Sequence, residues 1–276
     1  MTEILPIGSV LTTDAQGFIM NECSLEKISP PWNLVVEEIK SAYLRHLGST
    51  LHSIYLRGSV PRGQAIPGIS DVDTFAVVLG DREALDLSWK REFQEFITTQ
   101  YSFCQGVELT LIPLTDIFQT RRDRPNPIQL LIKTQALCIF GESSREILPG
   151  IKPGIDATIQ AWTIRRDITK VMEDLQALEN DGTCDERFVQ KVCSWIMKRI
   201  LRTGFELVME REGVYTRDLY PCWEIFSRYY PREKDHMKRA LQWAIAPGTN
   251  PREIRPFLES FGGWLIAQVE ENLLPK

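Results

Sequence analysis

A chain of 276 residues that is 43% hydrophobic can bury one large core or two modest ones, and its length favours two domains. The formal charge of −5, without any long basic block, argues against DNA or RNA polymers as the main partner, because such binding rests on clustered Lys and Arg. In chain order, Thr13-Asp14-Ala15-Gln16-Gly17 places turn residues between apolar flanks and predicts a small hairpin or irregular ribbon before Pro30-Pro31. Trp32, Val35, Val36, Ile39, Tyr43 and Leu47 then recur at helical spacing and stop at Gly48.

Ser53-Ile54-Tyr55-Leu56 has the composition of a strand, and Gly58-Ser59 ends it where the backbone must turn sharply. Ser59 is expected to cap a short helix with Pro61 in its first turn. Free N–H groups at such a start favour an anion, so a phosphate suits the turn. After eleven intervening residues, Asp71-Val72-Asp73-Thr74 runs into the apolar Phe75-Ala76-Val77-Val78-Leu79. Residues two apart on a strand share a face, so both carboxylates point the same way. They repel unless a cation lies between them, and oxygen ligands of this kind suit Mg²⁺ bridged to substrate phosphates.

A helix is expected near Glu83 to Tyr101, with Trp89, Phe93, Phe96 and Ile97 as its apolar stripe. Val107 to Ile112 follows as a strand in which Glu108 is the only acid, able to ligate metal or act as a general base beside Asp71 and Asp73. A helix at Pro127 to Lys133 and a strand at Ala136 to Phe140 complete an α/β domain with a mixed sheet over residues 1–150, short β prelude included. Pro149, Gly150, Pro153 and Gly154 mark a linker.

From 151 to 276 five helices are expected, at 156–180, 185–213, 217–230, 233–246 and 251–274, with Pro221 and Pro256 as points of kinking. The fold class is therefore α+β, a mixed-sheet domain followed by an all-α bundle. The second helix gathers Phe188, Val189, Val192, Ile196, Ile200 and Leu207 on one side. Arg187, Lys191, Lys198 and Arg202 form an opposite stripe interrupted by Trp195. Two readings stand: a solvated basic face, or cations that hold phosphates, with Lys198 and Arg202 the best pair and Tyr215 and Arg217 weaker candidates. Trp162, Arg165 and Arg166 are read as structural.

The six cysteines, Cys23, Cys104, Cys138, Cys184, Cys193 and Cys222, show no C-x-x-C spacing, and there are three histidines, His46, His52 and His236. Reduced thiols are expected, and structural zinc is not. Met1-Thr2-Glu3 opens without positive charge, and no apolar run reaches spanning length, so a cytoplasmic protein without a membrane partner is expected.

Gly58-Ser59, the gap, Asp71-x-Asp73 and the later strand carboxylate Glu108 together resemble the DNA polymerase β-type nucleotidyltransferase superfamily. With Arg62-Gly63 inside the gap and a helical second half, the chain looks most like the aminoglycoside and minimal nucleotidyltransferase branches. The resemblance implies that Gly58 and Ser59 hold a triphosphate with Arg62 nearby. It also implies that Asp71 and Asp73 bind Mg²⁺, two ions in all, and that Glu108 serves as third ligand or base. Lys198 and Arg202 would hold the outer phosphates. The implied activity is transfer of a nucleoside monophosphate, AMP from ATP, to a hydroxyl of a small molecule or protein, with release of pyrophosphate. Arg57 and Thr74 stand where the family usually has apolar residues, which keeps a second hypothesis open: a non-catalytic nucleotide sensor or one half of a toxin–antitoxin pair. Self-association to a homodimer is left open.

Overall fold

The computed structural model describes residues 4–119, 125–181 and 185–274. Two compact units divide the chain, Met20–Ile151 and Met1–Ile19 with Lys152–Lys276.

In the first unit, helix α1 (Trp32–Leu47) buries Trp32, Val35, Val36, Ile39, Ala42, Tyr43 and Leu47 on one side, with the bounds its periodicity predicts. Strands β1 (Leu51–Arg57) and β2 (Val72–Val78) pair antiparallel. Helix α2 (Trp89–Gln100) then crosses over to β3 (Val107–Pro113), which lies parallel to β2, as a parallel pair requires of its connection. Short α3 (Leu114–Phe118) and α4 (Pro127–Thr134) lead to β4 (Ala136–Gly141), antiparallel to β1. The mixed sheet has the order β3-β2-β1-β4.

Helix α2 starts six residues later than Glu83, the expected start. Residues Arg82–Ala84 form a single 3-10 turn capped by the Asp81 side chain, and Asp86 Oδ1 accepts the Ser88 N–H at 2.9 Å. Those carboxylates hold the backbone in turns and postpone the helix.

The two sheet faces have different jobs. On one, Ile54, Leu56, Val72, Ala76, Val78, Leu109 and Leu111 pack with the buried side of α1. On the other, Tyr55, Phe75, Val77 and Ile112 join Ile117, Ile132 and Leu148, and the Tyr55 and Phe75 rings stack at 4.9 Å. Past that stack, the second face changes from apolar to charged.

The other unit consists of α5 (Ile164–Asp181), α6 (Glu186–Glu206), α7 (Met209–Glu212), α8 (Leu219–Tyr229), α9 (Lys234–Ile245), α10 (Pro251–Phe257) and α11 (Gly263–Asn272). Helix α6 is central, burying Val189, Cys193, Ile196, Met197, Ile200, Leu201 and Phe205. Phe188, expected in the core, is instead 38% exposed at its first turn. Helix α5 starts at Ile164 and not at Asp156, because the buried Glu206 carboxylate takes the N–H groups of Ile159, Gln160 and Ala161 at 2.7–2.9 Å. Pro221 sits harmlessly in the first turn of α8, whereas Pro256 is followed by a π turn at Leu258–Gly262.

The expected turn near Asp14 forms, with Thr13 bridged to Ile19. Its segment, grouped with the sheet on sequence, bonds to the helical unit. Ser9 N–H donates to Asp218 Oδ2 at 2.8 Å, Thr216 Oγ1 donates to the Ser9 carbonyl at 2.7 Å, and Leu11 pairs with Tyr215. A ribbon without a core of its own must find backbone partners where it lies. Among the described residues, no helix is long and apolar enough to cross a membrane.

Candidate nucleotide site

Strand register creates the site. Arg57 lies opposite Asp73 across β1 and β2, and Asp73 lies beside Glu108 across β2 and β3. All three therefore share the face of the Tyr55–Phe75 stack and form one charged row beyond it. Arg57 Nη1 stands 3.3 Å from Asp73 Oδ2, and its Nη2 donates to Glu108 Oε2 at 2.5 Å. Thr110 Oγ1 donates to Glu108 Oε1 at 2.8 Å. Exposure is greatest at the edge strand, where the Glu108 side chain is 48% exposed against 20% for Asp73.

The two carboxyls are pushed apart electrostatically. Burial is the main influence on Asp73 and raises it to about 7, with Arg57 opposing and Asp71 and Glu108 reinforcing. Burial also acts upward on Glu108, but the Arg57 guanidinium and the hydrogen bond from Thr110 outweigh it and hold that carboxyl below its ordinary value. Asp71 is exposed just ahead of β2.

The turn after β1 is built around Asp73. Gly58 has φ +82°, and a Cβ there would stand 2.8 Å from Asp73 Oδ2, so the chain needs a residue without a side chain. Ser59 precedes a 3-10 turn, Val60–Arg62, but its hydroxyl makes no capping hydrogen bond, contrary to expectation. Its carbonyl accepts the Gln64 N–H at 2.9 Å. Arg62 is 10% exposed and paired through Nε with Glu22 Oε1 at 2.5 Å, which ties the turn to the start of the unit.

Thr74 belongs to the opposite face. Fully buried, it donates to the Glu108 carbonyl at 2.7 Å and meets the Tyr43 hydroxyl at 3.1 Å. This buried polar residue thus pins the strand that carries Glu108. Sequence reasoning missed its partner, although Tyr43 lay on the predicted core side of α1.

The three acids do not converge as a metal cradle. Among the described residues no group of three or more His, Cys, Asp or Glu side chains is placed to hold a metal ion. Asp73 and Glu108 close on the Arg57 guanidinium instead, so the trio as placed does not fit the two Mg²⁺ ions implied by the resemblance.

The candidate cations of the helical unit divide along α6. Arg187 and Lys191 are exposed, and Trp195 is 44% exposed with the Arg199 guanidinium 5.2 Å from its ring centre. Lys198 is half-buried. Arg202 donates from Nε to the Arg217 carbonyl at 3.1 Å, and burial, helped by the neighbouring Arg217 charge, lowers its pKa to about 10. Tyr215 is buried in its bridge to Leu11. Arg165 forms a two-pronged pair with Glu270, both contacts at 2.7 Å, which is a structural role.

No family model matches the chain, and no curated protein matches it. Among solved structures, the crystal structure of spectinomycin adenyltransferase AAD(9) from Enterococcus faecialis with ATP and spectinomycin aligns with 86% of this chain and 99% of its own, at 13% identity and a TM-score of 0.47. A likeness of that size carries no argument about the site.

Proposed function

We propose that the chain is a nucleotidyltransferase that binds a nucleoside triphosphate, ATP first among them, at the Gly58-Ser59 turn and transfers the nucleoside monophosphate to a hydroxyl. The observation that carries this is the meeting of a left-handed glycine turn with the in-register row of Arg57, Asp73 and Glu108. The uncapped Ser59 hydroxyl is available to a phosphate oxygen, and the guanidinium of the preceding Arg57 matches phosphate geometry.

Glu108 is the acid best placed for an acceptor. It lies on the edge strand, is the most exposed member of the row, and is kept ionised by Arg57 and Thr110. In the reaction, the acceptor oxygen forms a bond to the α-phosphorus as Glu108 takes its proton. The bond from that phosphorus to the bridging oxygen breaks, and pyrophosphate leaves with the electron pair. Positioning and charge neutralisation supply most of the rate gain in such a displacement. Loss of a placed base costs about 10²–10⁴ in rate. Glu108→Gln should therefore lower transfer by about 10²-fold or more while ATP still binds. Mass spectrometry of reactions with ATP and a panel of hydroxyl acceptors checks this through the nucleotidyl adduct, alongside a pyrophosphate assay.

One observation favours a second reading, a nucleotide sensor without transfer: Arg57 already neutralises two of the three acids. Saturable ATP binding with no pyrophosphate from any acceptor would establish that reading over the first.

A further inference from the structure

Two carboxylates on adjacent strands call for a cation, and this chain supplies one of its own. Arg57 contacts Asp73 through Nη1 and Glu108 through Nη2, so each acid takes a different prong of the guanidinium fork. The arrangement is fixed by backbone pairing, since Arg57 faces Asp73 and Asp73 neighbours Glu108 in the ladders. A metal ion approaching either acid meets a positive group already seated there. We propose that Arg57 is the resident cation of this site and closes the Asp73–Glu108 pair to divalent metal until the guanidinium is drawn away.

The same geometry names what draws it. Arg57 is followed directly by Gly58, so the guanidinium adjoins the turn assigned to the triphosphate, and phosphate oxygens accept its fork as readily as carboxylates do. The paired side chains are 20–48% exposed, and ion pairs of such exposure are weak enough to exchange. This proposal deepens the nucleotidyltransferase reading and rests on it for the role of phosphate. The competition between Arg57 and metal stands whether or not transfer occurs.

The test uses Mn²⁺ alone, titrated into the full chain without nucleotide and followed by the electron paramagnetic resonance of the free ion. Arg57→Gln should bind Mn²⁺ about tenfold more tightly than the wild type or better, and Arg57→Gln/Glu108→Gln should lose that gain. Arg57→Lys keeps the charge but cannot fork to both acids, and it should also bind more tightly than the wild type, which covers the case of an unfolded Gln variant. Equal binding by the wild type and the folded variants overturns the proposal, as does a gain that survives loss of Glu108. Because no transfer is read, a failure of the nucleotidyltransferase reading leaves this result distinct.

Discussion

A methyl group at position 58 would press on the carboxylate of Asp73 from a backbone that L side chains rarely adopt. Gly58→Ala should therefore cost about 1–3 kcal/mol in thermal unfolding and weaken ATP binding as the turn shifts. Thr74→Val removes the donor to the Glu108 carbonyl and a partner of the Tyr43 hydroxyl, and should cost about 1–3 kcal/mol in urea unfolding. Asp73 gives a signed pH effect. Its folded value of about 7 lies above the ordinary carboxyl value of 3.8, so the folded state holds that proton more tightly. The associated stability is full below 3.8 and is lost as pH rises through about 7. With a chelator present, the wild type should lose stability across that window relative to Asp73→Asn, and parallel melting curves for the two proteins would refute the assignment.

Among the elements, those whose boundaries are written locally were legible. Helix α1 runs from Trp32 to Leu47 because its apolar spacing and Gly48 specify both ends. The start of α5 was not, because the acceptor that holds its N-terminal approach is Glu206, 45 residues beyond Ala161. Glu206→Ala should leave three N–H groups, two of them buried, without their acceptor and cost about 3 kcal/mol, read by chemical unfolding. The stripe on α6 shows the same limit. Its spacing revealed a line of cations, yet not that Arg187 and Lys191 meet solvent while Arg202 is spent on the Arg217 carbonyl.

Across the whole molecule, the mixed sheet and the helical half could be read from alternating and then purely helical periodicity. The home of the segment around Ser9 and Leu11 could not, because its partners Tyr215, Thr216 and Asp218 lie some two hundred positions away. Asp218→Ala should raise amide hydrogen exchange at Ser9 while leaving β1 to β3 protected, which hydrogen-exchange mass spectrometry would resolve. At the site, Asp73 and Glu108 were legible as neighbours because each sits in its own apolar strand. The partner of Arg57 was hidden, since antiparallel pairing of β1 with β2 decides it.

That pairing has a consequence for how the chain reaches its fold. A slip of one residue in β1, β2 or β3 would turn a charged side chain from the open end of the sheet toward the packed face, where an unpaired ion is heavily penalised. Arg57 and Glu108, 51 positions apart, meet only when both ladders are in register. The charged row thus proofreads strand alignment, and a misaligned sheet would expel itself from the native basin before it could present a defective site.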